Sequence, residues 1–567
     1  MKKIIAVFMA LTLTLLICGC GKSLAKPSKK VPVDNTSSDE VSEETEGDYE
    51  EKIIVDSADP VVGEAVYDLE FNTADIETVE YGTHGPTLET KWDASSTVRS
   101  SESDSEAAAL RNKILSTKNT DEIYNITGKK YYVSPKGNDD NDGLTPATAF
   151  KTVNSKAFTS MVKPGDAVLF ERGGVWRLSN SIKAREGITY GSYGTGEKPA
   201  FYMSPYNYAM PEFWLPSKRG NIWKVSAADN DIGLIVFNEG EIVGAKKSSG
   251  LIALEKNGDY YYNRDQDTVY VYCDKGNPGK VFKDIEICFS KAVFSVARVE
   301  NVTIDNLKIK YGGSMAVSMV TSDGSTVTNC EIGFIGGAYQ NVKEMLRYGN
   351  AIQQWNSVYN QVVEYNWIYQ VYDTAISWQG DYDWIISNDV VYNEDKTINY
   401  ALSRIDQYKD ISYCNNLIEY CAMSIEFWHA ARTASDKEKK ICHAPVENFD
   451  CSNNISRFAG YGWTTQRSDH VGSHIMVYSR AFPDAKDCKI TNNIFDCSYS
   501  YMVRWDFNNA KDNAGFDISG NTFYQRKAKV NEGVWYGKMT TATNQSSLEA
   551  AVAIFDKSPK LVKWISS

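Results

Sequence analysis

The chain has 567 residues, 42% of them hydrophobic, with a formal net charge of −13. That length supports a large buried core, so a disulfide framework is unnecessary in spite of eleven cysteines. No stretch is basic enough to make nucleic acid a partner.

At the N-terminus Lys2 and Lys3 precede an apolar run over residues 4–17, which is too short to span a bilayer and has the layout of a secretory signal. The run ends in Cys18, Gly19 and Cys20. This junction of a small residue and a cysteine resembles the bacterial lipoprotein signal. The resemblance implies that residues 1–20 are removed as far as Cys20, that Cys20 is lipidated, and that the protein is secreted and tethered to the outer face of a bacterial membrane. Residues 21–100 read as an acidic disordered linker around "SSDEVSEETEGDYEEK". Between residues 21 and 60 eleven Asp or Glu face five Lys, a net of −6, so much of the acidity belongs to the spacer and not to the folded part.

Residues 101–209 are expected to hold an N-terminal cap and the first coils of a solenoid. The stretch "SEAAALRNKIL" reads as a helix placed to cover open strand edges. Then come "YYVSPKGNDDNDGLTPATAFKTV", "VKPGDAVLFERGGVWR" and "GITYGSYGTGEKP". These segments resemble the opening coils of right-handed parallel β-helix proteins of the pectate lyase-like superfamily, many of which act on polysaccharides. Because that superfamily includes lyases, hydrolases, epimerases and adhesins, the resemblance implies a fold and a substrate class without a reaction. In "NDDNDG" an EF-hand is excluded because its twelfth position is Ala149, and an Asp- and Asn-rich turn is the reading adopted. Over residues 210–284 hairpin patterns such as "DYYYNRDQDTVYVYC" predict an antiparallel β excursion.

The main coils are expected over residues 285–530, where one phrase recurs: alternating apolar positions, then Asn or Gly at a kink, then another apolar position. Its copies place Asn306, Asn329, Asn388, Asn415, Asn492 and Gly520 at equivalent bends, with weaker copies at Tyr365 and Asn453. The tight steps are roughly 23 to 28 residues, and longer steps of roughly 36 to 39 mark insertions into the loops of a solenoid. The asparagines suit bends between strands and can bond to one another from coil to coil. The cysteines, several inside the phrase and none in a CxxC pair, read as small buried fillers. Residues 531–567 form a C-terminal cap in which Ser546 and Glu549 suggest a capping box for the helix "LEAAVAIF". The fold expected is all-β: a right-handed parallel β-helix with an antiparallel excursion and short capping helices.

A second phrase recurs in "YGNAIQQW", "YDTAISWQ", "AMSIEFWH", "AGYGWTTQ" and "YSYMVRWD". With Ile352, Ile376, Ile425 and Val503 pointing inward, one outer face carries Gln353, Trp355, Ser377, Gln379, Glu426, Trp428, Arg504 and Asp506. A ladder of aromatics, amides and charges suits a chain of sugar rings. The catalytic candidates are Asp373, Glu426 and Asp506, since glycoside hydrolysis needs one carboxyl as acid and another as base or nucleophile. Asp373 is placed two coils before Glu426 and Asp506 two coils after it, roughly 10 to 12 Å away in each direction, which favours inversion. Arg347, Gln353, Trp355, Gln379, Trp428, His429, Arg467, His470 and Arg504 are the candidates for binding polysaccharide. The alternatives are β-elimination of a uronic-acid polymer, with Arg504, Arg467, His470 or Lys409 as base, and a surface protein that binds carbohydrate without turnover. No cofactor is required; calcium is the ion that Asp381 and Asp383 could take. The protein is expected to be a monomer.

Overall fold

The computed structural model describes residues 101–153, 160–343, 345–355, 358–381, 391–392, 398–399, 408–430, 446–469, 472–477, 485–505, 515–526, 533–536 and 538–565. The alternation read from the sequence builds three parallel strand ladders wound about one axis, a parallel β-helix. The first face runs through ten strands, from Lys130–Val133 and Ala167–Glu171 to Cys488–Thr491 and Phe516–Ser519, all paired in parallel register. The second face includes Lys308–Lys310, Glu331–Ile335, Ile455–Ala459 and Ile494–Ser498. The third includes Val317–Val320, Ile352–Trp355, Ser473–Val477 and Tyr501–Trp505. Two long strands, Trp367–Asp381 and Leu417–Ala430, bend and serve the second and third faces in turn.

The kink of the repeated phrase is the corner between the first and second faces. Asn306, Asn329, Tyr365, Asn415, Asn453, Asn492 and Gly520 all take the left-handed conformation there, with φ between 53° and 69°. The residue after each kink carries the second half of the device. Asn366, Asn416, Asn454, Asn493 and Asn521 are buried, and each of the first four donates Nδ2 to Oδ1 of the next at 2.9–3.1 Å. The backbone N–H of each is held by the same acceptor. The ladder ends on Asp556, whose Oδ2 accepts from Asn521 Nδ2 at 2.8 Å.

A second left-handed corner follows the first six by five residues, at Tyr311, Phe334, Gln370, Tyr420, Phe458 and Cys497. Bulky side chains pay steric cost in this conformation. Here the rings offset it by stacking between coils, Tyr311 on Phe334 at 5.8 Å and Tyr420 on Phe458 at 5.0 Å. The interior is apolar: Ile352, Ile376, Ile425, Ile475 and Val503 stack in register and are buried. All eight described cysteines outside the first hundred residues are buried, the role of small fillers.

Three placements differ from the expected ones. The strand Val358–Glu364 pairs directly with Tyr408–Cys414 on the first face, where a coil was expected between them; the copy of the phrase around Asn388 lies outside the described residues. The helix Asp104–Leu115 lies along the side of the later coils, its Ala107 and Ile114 packed with Leu417 and Ile455, rather than across the first coil. The C-terminal helix Gln545–Phe555 opens two residues early, capped by Asn544 with Ser547 completing the box, because the Asn544 side chain reaches the Ser547 N–H. Its Phe555 packs on Trp505 and Phe523 and closes the last coil.

Between the early coils, Ile222–Ser226, Asp259–Asn263 and Thr268–Tyr272 form the antiparallel excursion, and Ile232–Phe237 pairs antiparallel with Ile285–Phe289. In the "NDDNDG" turn, Asp139 accepts from the N–H groups of Lys151 and Thr152 and Asp142 from Leu144 N–H and Thr148 Oγ1. Loop hydrogen bonding thus accounts for these carboxylates.

Candidate active site

The third face carries the row Ser318, Gln353, Ser377, Glu426, Met476 and Arg504, one residue per coil. Beside it runs Trp355, Gln379 and Trp428. Met476 occupies the rung between Glu426 and Arg504, where the phrase "AGYGWTTQ" would have placed a polar residue. That segment is instead a loop with a 3-10 turn over Gly462–Gln466, since Gly460 and Gly462 both take φ of 82° and break the extended chain. The strand of that coil is Ser473–Val477.

Glu426 is the centre of the row. Its residue is only 5% exposed, and Oε2 accepts three hydrogen bonds: from Thr374 Oγ1 at 3.0 Å, Ser377 Oγ at 3.0 Å and Gln379 Nε2 at 2.8 Å. Oε1 accepts none among the described residues. Burial and the neighbouring charge of Asp373 push the Glu426 carboxyl up to about 7, against the pull of the three donors. Because Oε2 is filled by donors, the proton of the neutral form resides on Oε1.

Asp373 sits at the bend of Trp367–Asp381, where the register with the next strand shifts between Val371 and Thr374. The same strand places Ser377 directly opposite Glu426, so Asp373 and Glu426 are on adjacent coils and not two coils apart. The two-coil spacing that favoured inversion is therefore absent. Arg467 faces Asp373 at 2.8 Å and forms a two-pronged pair with Asp469, Nε and Nη2 each at 2.9 Å. Burial raises the Asp373 carboxyl and the Arg467 charge opposes that rise. The pair therefore differs by design: Asp373 has a cation beside it and Glu426 has only dipoles.

The loop carrying Arg467 is fastened underneath. Trp463 donates its N–H to Gln370 Oε1 and its Nε1–H to Gln370 O, and Thr464 Oγ1 donates to Tyr372 O. Gln466 Nε2 donates to Gly244 O, docking the antiparallel excursion against this loop. Thr374, Tyr372 and Trp463 escaped the sequence reading; the hydroxyl two residues before Ile376 in "YDTAISWQ" was the available signal for Thr374.

The other candidates distribute as follows. Gln353 donates to Gln379 Oε1 at 3.4 Å and extends the amide row. Trp355 and Arg504 are half-buried on the face, Arg504 lying 5.8 Å from the Tyr501 ring. Arg347 is a strut: it stacks 4.4 Å over Tyr372 and donates to Gly337 O and Gly233 O, which ties its hairpin to the excursion. Trp428 and His429 pair in backbone register with Gln379 and Gly380, and their side chains lie outside the described set. Asp506, His470 and Cys20 lie outside the described residues. His474 is inside the coil, bonded to Ser456 Oγ and pushed down to about 3 by burial, a neutral core histidine. Lys409 is on the first face with Glu447 at 3.5 Å, away from Glu426.

No protein-family model matches the sequence, and no curated protein matches it. Among solved structures the chain is similar to XylC in complex with xylose, at 13% identity over 71% of this chain and 69% of that one, with a TM-score of 0.40. It is similar to a glycoside hydrolase at 10% identity over 77% and 96%, with a TM-score of 0.37. A third is the GH136 lacto-N-biosidase from Eubacterium ramulus, at 13% identity over 77% and 68%, with a TM-score of 0.36. Likenesses of this degree assign neither residues nor a reaction.

Proposed function

We propose that the protein is a carbohydrate-active enzyme that hydrolyses glycosidic bonds of a polysaccharide laid along the third face. Glu426 is the general acid, delivering the proton of Oε1 to the leaving oxygen. Asp373, ion-paired with Arg467, is the base or nucleophile. The observation that carries this reading is the asymmetry of Glu426: three donors on one oxygen, an open second oxygen, and a carboxyl raised to about 7 beside a carboxylate with its own cation. Trp355 supplies a stacking face and Gln353 and Gln379 take hydroxyls. Elimination is the weaker reading because Arg467 is committed to two carboxylates and Lys409 faces elsewhere. Lipidation at Cys20 with the acidic linker would hold the enzyme at the outer face of a bacterial membrane as a monomer.

The test incubates the full-length chain with neutral and acidic polysaccharides and examines the new ends. Saturated reducing ends are the expected product. Unsaturated, ultraviolet-absorbing ends would replace hydrolysis by elimination, and binding without new ends would leave a non-catalytic carbohydrate-binding protein.

A further inference from the structure

Arg467 reaches Asp373 from a loop and not from a strand, so its placement depends on what grips that loop. Trp463 and Thr464 tie the start of the loop to the coil, and Arg467 comes after them. The residue just before Arg467 is Gln466, and it reaches the excursion instead. There Ala245 N–H and Lys247 N–H bond to Gly258 O and Tyr260 O, so Gly244 O and Lys246 N–H face the opposite edge of that strand. Gln466 takes both: Nε2 donates to Gly244 O at 2.9 Å and Oε1 accepts from Lys246 N–H at 3.4 Å. One side chain thus fills two backbone places where a neighbouring strand would bond.

The edge that it grips is itself fixed. Lys246 Nζ is buried and bonds to Asp231 at 2.5 Å and to Ile232 O at 2.7 Å, and Asp231 also accepts from Tyr339 N–H at 2.7 Å. That last bond brings in the hairpin of Ala338–Asn341 and Leu346–Tyr348, whose Arg347 stacks 4.4 Å over the Tyr372 ring. Tyr372 adjoins Asp373 in the chain, and the Arg467 guanidinium lies 5.4 Å from the same ring. Excursion, hairpin and loop close on Gly337, where an added Cβ would lie 2.5 Å from Gly233 O, 2.8 Å from Arg347 Nη2 and 2.8 Å from the Trp463 ring. A junction without room for a methyl group transmits displacement and does not absorb it.

Arg467 holds Asp469 by two bonds within its own loop and Asp373 by one contact across to the coil. A loop that shifts therefore carries Arg467 and Asp469 together and leaves Asp373 behind. We infer that Gln466 is a positioning residue for the acid and base: its clasp on the excursion keeps Arg467 on Asp373, and through it the excursion and the hairpin serve the reaction. The inference rests on the roles proposed above for Asp373 and Glu426. Among the described residues the charged groups facing Asp373 are Arg467 and Asp469 from the loop and Glu426 from the next coil, with Arg347 of the hairpin stacked on the adjoining Tyr372. Of these, Arg467 holds the Asp373 carboxyl down, against burial and Asp469.

The experiment measures kcat/KM against pH on a cleaved polysaccharide for the full-length wild type, Gln466→Met, Arg467→Met and the double variant. Gln466→Met keeps the length of the side chain and deletes both bonds. Without the cation Asp373 takes up its proton at a higher pH, so the acid limb should move up by about one pH unit in Arg467→Met and about half a unit in Gln466→Met. At the wild-type optimum kcat should fall about tenfold in Gln466→Met with KM unchanged. In the double variant the limb should stand where Arg467→Met alone puts it, because Gln466 acts through Arg467. An unmoved limb in Gln466→Met, or shifts that add in the double variant, overturns the inference and leaves the hydrolase reading intact. If thermal melting shows Gln466→Met unfolded, Gln466→Glu carries the comparison, since it keeps an acceptor for Lys246 N–H and loses the donor to Gly244 O.

A wild type that cleaves nothing sinks the hydrolase reading alone, and denaturant unfolding then decides whether Gln466 holds Arg467 on Asp373. The Asp373 carboxyl is raised in the fold, so its stabilisation is present at low pH and lost as pH rises through the folded value. Freed from Arg467 the carboxyl rises further, so Gln466→Met should lose more stability than the wild type between about pH 4 and about pH 8. Asp373→Asn should abolish that excess. An excess that persists beside Asp373→Asn, or no excess at all, overturns the inference.

Discussion

The asparagine corner and the Glu426 rung are both stacks of equivalent positions one coil apart, and they treat buried polar atoms in opposite ways. Along the corner every amide donates to the next and accepts from the one before, the column is uniform, and its final acceptor is the carboxylate of Asp556. On the third face no two neighbours in the row are alike, and Glu426 holds three donors on one oxygen and, among the described residues, none on the other. Uniform satisfaction leaves nothing for a ligand to gain. Uneven satisfaction stores a proton at a defined atom and exposes it, which is what an acid catalyst requires.

The sharpest way to break this contrast is Glu426→Gln. Gln379, Ser377 and Thr374 still find an oxygen, so the fold persists with an unchanged melt, while turnover on a cleaved polysaccharide falls by about 10²- to 10⁴-fold. Unchanged turnover would end the assignment. The reciprocal change is Asn454→Ala in the corner. It strands the N–H of Asn416 and one of its Nδ2 hydrogens in the interior and takes a donor from the carbonyl of Tyr413, while Asn493 Oδ1 keeps the N–H of residue 454 and Asn416 Nδ2 keeps Val363 O, at a cost of about 3 kcal/mol in denaturant unfolding. Its catalytic rate per folded molecule should stay the same, and a selective loss of rate would show that the two stacks are coupled.

The difference in legibility between the two stacks has a physical cause. A left-handed bend tolerates few residue types, so Asn and Gly recur at the kink and announce the coil. The residue after it must both donate and accept along the axis, which again means Asn. The second corner carries no such restriction, because Tyr311, Phe334, Tyr420 and Phe458 are held at positive φ by packing between coils, and no local pattern reveals that. The third-face row was readable as far as the inward positions Ile352, Ile376, Ile425 and Val503. The rungs were harder to count: Val358–Glu364 and Tyr408–Cys414 are neighbours on the first face in spite of the length of chain between them, which brings Asp373 one coil nearer Glu426, and "AGYGWTTQ" has the alternation with two left-handed glycines inside it, which hid Met476.

Titration sharpens the same comparison. Glu426 rises from 4.5 unfolded to about 7 folded, so the native state holds its proton more tightly. The stabilisation is complete below about 4.5, declines as pH rises, and is gone above about 7, a total of about 3 kcal/mol. Unfolding free energies measured at pH 5 and pH 8 should differ by most of that amount, about 2.5 kcal/mol, in the wild type and by less in Glu426→Gln. Cleavage should fall over the same upper limb, as Oε1 loses the proton that it delivers. A wild-type stability that is flat across this window, or that increases with pH, would show that Glu426 is ionised in the fold and is not the acid.

The smallest effect probes the end of the corner column. Asp556 is buried, its Oδ2 accepts from Asn521 N–H and Nδ2, and its Oδ1 accepts from Ser558 N–H. Every direction at this site brings a donor toward the carboxylate, so a terminal asparagine would have to turn its NH₂ against either Asn521 or Ser558. Asp556→Asn should therefore cost about 1 kcal/mol, less than a break in mid-column, because one carboxamide oxygen still serves the stronger side. The same reasoning explains why the column ends in an acid while its interior uses amides: a relay needs both functions at each step and only an acceptor at the last. Equal stability of Asp556→Asn and the wild type in denaturant unfolding would mean that the column has no direction. The corner would then be a row of separate bends, and its contrast with the Glu426 rung would rest on burial alone.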